Sequence, residues 1–244
     1  MNCEPSSHST EPEDLAHTRL VPLAARAVQS LGGRYSIELG IDVDRGEDEI
    51  ERWALAATLF GARISAKIAQ RTFAVLEQAG VHSIADAGRQ EIERLIELLD
   101  AGGYARYDLR TADYFHAIAQ ALAADWRGRV SSALDLPLDQ LHAALDSLPG
   151  WGPVTVGLFL RELRGVRAGI DPPLDARAVR AAEHLRMLKP GRRKGLASLR
   201  AVAVDARIDI RDLEAALVRL SLAHGRHMPD CPGRQRCTLL AGPA

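Results

Sequence analysis

Lysine is nearly missing from this chain. Only Lys67, Lys189 and Lys194 are present, so arginine supplies almost all of the 31 basic side chains. Chemistry that needs an amine nucleophile therefore has few candidates. Aromatic residues are scarce at 5%, and a core must be built mainly from Leu, Ala, Val and Ile. Three cysteines, Cys3, Cys231 and Cys237, are too few for a disulfide framework. No apolar run is long enough to span a bilayer, and the first residues lack the apolar centre of a secretion signal. The expectation is a cytoplasmic protein with no membrane partner. Strand signals are also rare, with residues 35–43 as one weak candidate.

A strong excess of either charge is missing too. The chain has 32 acidic and 31 basic residues and a net charge of -1, which argues against a protein that coats DNA by charge alone. The charges are unevenly placed. Residues 1–18 carry Glu4, Glu11, Glu13 and Asp14 without a Lys or Arg, and they read as a disordered acidic tail. From Arg186 to Arg200 the six charged residues (Arg186, Lys189, Arg192, Arg193, Lys194, Arg200) are all basic. That run suits phosphate contact or a solvated loop. Arg226, Arg234 and Arg236 form a second basic region.

What is present is helical periodicity. Ile50, Trp53, Ala54, Ala57 and Phe60 recur at spacings of three and four, and Ile64, Ile68 and Phe73 continue the pattern. Ile92, Leu95, Ile96 and Leu99 predict a helix ended by Gly102 and Gly103. Residues 108–124 predict another, with Leu109, Phe115, Ile118 and Leu122 on its apolar face. Further helices are predicted over 138–145, over 153–163 with Pro153 at the first helical position, from Asp175 to about residue 187, over 196–204 and over 213–223. The fold class is all-α.

Between the helices at 138–145 and 153–163 stands Leu148-Pro149-Gly150-Trp151-Gly152. Two glycines allow positive φ angles and leave room for a ligand to come close. The helix that follows presents unpaired N–H groups at its start, a site for a phosphate oxygen, to which Thr155 could add a hydroxyl. Such a clamp positions a duplex without reading its sequence. An ordinary tight joint between helices has the same composition. Trp151 packs behind the loop or touches the sugar–phosphate chain. About twenty residues on, Leu174-Asp175-Ala176-Arg177-Ala178-Val179-Arg180 places a carboxylate at a helix start.

The segment 148–152 with Thr155, the Asp175 segment, and Leu222-Ala223-His224-Gly225-Arg226 together resemble the helix–hairpin–helix DNA glycosylase superfamily, most closely its endonuclease III branch. The resemblance covers roughly residues 45–237, with weaker support from Leu59-Phe60-Gly61-Ala62-Arg63-Ile64-Ser65 and Gly103-Tyr104-Ala105-Arg106-Tyr107. It implies two helical domains flanking a DNA-binding cleft: a bundle over 44–166 that ends in the helix–hairpin–helix, and a second domain from 19–43 plus 167–240 that carries the catalytic aspartate. It implies a base-excision repair enzyme, a monomer on double-stranded DNA, that extrudes a damaged or mispaired base into a pocket. The DNA contacts would come from Leu148, Gly150, Gly152, Thr155 and Arg63. A nucleoid-associated location in the cytoplasm follows.

Three departures shape the expected chemistry. Val154 stands where the lyase members carry their Schiff-base lysine, so water rather than an amine would attack. Asp175 would then stabilise the oxocarbenium charge and orient the water. As a helix N-cap it has a purely structural role open to it as well. Asp171 is the alternate carboxylate, with Pro172 after it suggesting a turn. Cys231 and Cys237 lie where that branch has the first two of four cluster cysteines, and a [4Fe–4S] cluster normally needs four. The expectation is no cofactor and no metal. His224 and His227 with the two cysteines form a zinc-like set whose spacing is not that of a standard finger. Arg63 stands where the family often has glutamine; it could fill the gap left by a flipped base, stack, bind phosphate, or lie on the surface. Two other functions remain open: a non-catalytic DNA-binding module, and an abasic-site lyase using Lys67 or another amine.

Overall fold

The computed structural model describes residues 11–191 and 195–240, with the backbone alone for residues 11–18. The described residues are helical and contain no strand. In chain order the helices are α1 (Glu11–Leu31), α2 (Tyr35–Glu38), α3 (Glu47–Phe60), α4 (Ala66–Gln78), α5 (Ile84–Ala87), α6 (Ile92–Gly102), α7 (Asp108–Asp125), α8 (Leu138–Asp146), α9 (Pro153–Glu162), α10 (Ala176–His184), α11 (Gly195–Asp205) and α12 (Ile210–His224). Short 3-10 turns lie at Val43–Arg45, Val130–Asp135, Gly225–Asp230 and Arg234–Arg236. No described helix is long and apolar enough to cross a membrane. The chain divides into two compact units, Tyr35–Pro172 and the described residues on either side of it.

The larger unit takes in residues 35–43, which the sequence reading attaches to the other domain. Those residues hold helix α2 rather than a strand. The reason lies far along the chain: the buried Glu162 carboxylate accepts the N–H groups of Tyr35 (3.0 Å) and Ser36 (2.9 Å) and so caps this turn. Glu51 does the same for Val130 (3.2 Å) and Ser131 (2.8 Å). Buried backbone donors need such partners. Helix α3 lies in the core, with Ile50, Trp53, Ala54 and Ala57 all buried. Trp53 Nε1 donates to the Phe159 carbonyl at 3.2 Å, tying α3 to α9. Helix α4 packs on α3 and α6, and α7 packs on α5 and α6. Helix α6 ends where Gly103 turns left-handed, φ 92°, as its two glycines predict. On α7, Phe115, Ile118 and Leu122 are buried, whereas Leu109 is 64% exposed. Leu109 sits in the first turn of the helix, short of the packed face.

In the smaller unit α12 is central and is covered by α1, α10 and α11. Ala178, Ala181 and Ala182 of α10 are fully buried, and small side chains let two helices approach closely. Glu11 to residue 18, read from sequence as tail, is helical backbone at the start of α1. Residues 1–10, with the rest of the predicted tail and Cys3, lie outside the described residues, as do Arg192, Arg193 and Lys194.

Candidate functional site

Helix α8 ends at Asp146 and α9 begins at Pro153. Between them, the Leu148 carbonyl accepts the Trp151 N–H at 3.0 Å and closes a tight turn. Gly150 is at φ 77°. A Cβ there would lie 2.4 Å from the Tyr114 ring, so the position needs glycine twice over, for conformation and for space. Gly152 differs. Its φ is -136° with extended ψ, and a Cβ there would meet nothing within 4 Å. Only the first glycine of the pair is required by the turn.

The turn is fastened from behind. Trp151 is 4% exposed, donates from Nε1 to Thr58 Oγ1 at 2.9 Å and packs edge-on against Phe159. Leu148 is also buried. Thr155, expected to offer a hydroxyl to phosphate, is 2% exposed. Its Oγ1 occupies the space that a Cβ on Gly61 would need, so it serves the packing of α9 on the end of α3. The first N–H taken up within α9 is that of Val156, by the Gly152 carbonyl at 3.0 Å; the N–H groups of Val154 and Thr155 precede it. Val154 is 55% exposed on the same first turn.

Beside the turn lies a cavity of about 420 Å³. Gly150 forms part of its wall, with Gly61 and Arg63 from the α3–α4 connection and Tyr104, Tyr107, Arg110 and Tyr114 from α7 and the loop before it. Among the described residues, no carboxylate lines it. The Tyr104 hydroxyl donates to the Leu59 carbonyl at 2.6 Å, and burial pushes its ionisation well above the ordinary value. Arg110 Nε donates to the Tyr114 hydroxyl at 2.6 Å, and its guanidinium lies 5.3 Å from that ring's centre. The three tyrosines cluster in the sequence, but nothing local marks Arg110; one helical turn from Tyr114, it reads as a surface charge.

Asp175 belongs to the smaller unit and is the N-cap of α10. Its Oδ1 accepts the Arg177 N–H at 2.7 Å, and its own N–H donates to the buried Glu214 at 2.9 Å. Asp171 belongs to the larger unit, where Arg164 Nη1 bonds both its carboxylate (2.5 Å) and the Pro172 carbonyl (2.6 Å). That is the turn role its sequence context suggests. Lys67 and Lys189 are exposed.

The smaller unit also gathers His184, His224, Cys231 and Cys237, whose donor atoms all lie within 4.8 Å of one another. His227, considered for such a set on sequence grounds, is exposed and lies 3.5 Å from Asp230. Both His184 and His224 are held below the ordinary imidazole value by burial. Burial pushes the Cys237 thiol up. Burial acts the same way on Cys231, but backbone N–H groups of Gly233 and Thr238 outweigh it and draw that thiol down. His184 is 40 positions before its nearest partner, and no spacing rule points to it.

No model of a known protein family matches this chain, and a search of curated proteins finds no match either.

Proposed function

We propose that this chain is a DNA glycosylase of the helix–hairpin–helix kind, which hydrolyses the N-glycosidic bond of a damaged or mispaired base by water attack. The observation that carries this reading is the double use of Gly150, which is both the left-handed corner of the α8–α9 turn and part of the wall of the tyrosine-lined cavity. A phosphate on the free N–H groups at the start of α9 would put the strand beside a cavity in the size range of small-ligand pockets. The tyrosine rings suit a flat base, and Arg63 and Arg110 suit the adjoining phosphates.

Val154 supports hydrolysis over lyase chemistry, because an exposed isopropyl group at the lysine position of the lyases offers no nucleophile. Asp175 is the carboxylate proposed to stabilise the sugar cation and orient water. Duplexes carrying a panel of damaged and mispaired bases test the reading directly. Strand breaks that need alkali are expected, with no product trapped by borohydride. Asp175→Asn should lower excision by two or more orders of magnitude; unchanged excision in that variant removes the aspartate from the mechanism.

One observation favours a second reading, a DNA-binding module without chemistry. Capping of α10 accounts for Asp175 by itself. Duplex binding that persists while no base in the panel is excised would establish it.

A further inference from the structure

Helices α10 and α12 pack together and end in a histidine each, His184 and His224. Their rings meet edge to face, 5.1 Å between centres. The segment after α12 then brings back two cysteines. Cys237 is fully buried, and its Sγ lies 3.2 Å from His224 Nε2. Cys231 Sγ accepts the Thr238 N–H at 3.4 Å, the kind of backbone contact that steadies a metal-bound thiolate. His184 Nε2 is buried and has no hydrogen-bond partner among the described residues, which is costly for a polar nitrogen. Gly233, at φ 67°, is laid directly on His184; a Cβ there would fall 2.5 Å from the His184 carbonyl and 3.3 Å from the ring.

We propose that His184, His224, Cys231 and Cys237 hold one structural zinc ion, which fastens the segment after α12 to the end of α10. This inference does not depend on the glycosylase reading. Two thiolates and two imidazoles are a donor set that zinc takes in tetrahedral geometry. Zn–S and Zn–N bonds of about 2.3 and 2.0 Å put neighbouring donors roughly 3.5 Å apart, close to the 3.2 Å between Cys237 Sγ and His224 Nε2. The four donors fill the coordination shell, so the ion would hold structure and take no part in catalysis. An iron–sulfur cluster does not fit these residues. A [4Fe–4S] cluster takes four thiolates, and this group offers two. A binuclear cluster with two His and two Cys ligands places its nitrogens and sulfurs on different irons, which a 3.2 Å contact between Nε2 and Sγ does not allow.

The test uses the full chain, produced with zinc and iron in the medium and purified without chelators. Elemental analysis should find one zinc per chain, with neither iron nor acid-labile sulfide. Cobalt added to the metal-stripped chain should give the intense visible bands of a tetrahedral site and a thiolate charge-transfer band. His184→Ala and Cys237→Ser should lose the metal, whereas His227→Ala should keep it. Metal removal should lower the melting temperature, and zinc should restore it. The proposal is overturned by bound iron and sulfide, by a Cys231–Cys237 disulfide in place of metal, by absence of zinc, or by full zinc content in His184→Ala. Should His184→Ala fail to fold, the cobalt spectrum of the unaltered chain decides: a weak octahedral spectrum overturns the proposal.

Discussion

Gly150 and Gly152 stand two residues apart and are not equivalent. At Gly150 any side chain would need a positive φ and would also run into Tyr114. Gly150→Ala should therefore destabilise the chain by at least about 1 kcal/mol and, under the proposed function, weaken duplex binding on the order of tenfold. Gly152→Ala should stay within about 0.5 kcal/mol of the parent. Urea denaturation and fluorescence anisotropy with a labelled duplex compare the two. Equal effects would mean that the turn does not depend on its left-handed corner. The buried glutamates are the other residue-scale device. Glu51→Ala would leave the Val130 and Ser131 N–H groups without an acceptor, and a loss of roughly 3 kcal/mol is expected. The same denaturation experiment measures it.

Helices α3 and α4 are joined by a charged clasp on their outer side. Arg52 of α3 bonds Glu77 of α4 at 3.1 and 2.6 Å and also holds Glu49. Burial alone would raise the Glu77 carboxyl, but its bonds to Arg52 and His82 outweigh this and hold it below the ordinary 4.5. A carboxyl whose value is lower in the folded than in the unfolded chain stabilises fully above its unfolded value. That stabilisation is lost as the pH falls through the folded value. Asp209, paired with Arg211, behaves likewise below its ordinary 3.8. Urea midpoints should therefore fall with acidification below about pH 4.5. Glu77→Gln should be less stable at neutral pH and lose less on acidification; an unchanged acid limb in that variant would assign the effect to other carboxylates.

For the molecule as a whole, a net charge of -1 means that the duplex affinity proposed above would come from a local set of contacts rather than from a general field. Each phosphate neutralised contributes about 0.9 to the slope of log affinity against log salt. If Arg110 at the cavity binds phosphate, Arg110→Ala should make that slope shallower by about 1 on any duplex sequence. Titrations at several salt concentrations measure it, and an unchanged slope would confine Arg110 to holding Tyr114.

The sequence by itself determined the all-α class and the placing of α3, α4 and α6–α12, because amphipathic periodicity and glycine or proline punctuation are local properties of the chain. It also marked the turn between α8 and α9 and the capping position of Asp175. Tertiary structure alone decided the rest. Residues 35–38 are helical because Glu162, over 120 positions away, caps them. Thr155 faces inward because α9 lies against Gly61. The tyrosine cavity and the His184–His224–Cys231–Cys237 cluster join residues from separate helices and from the segments between or after them, and such convergence follows from how helices pack, which periodicity does not encode.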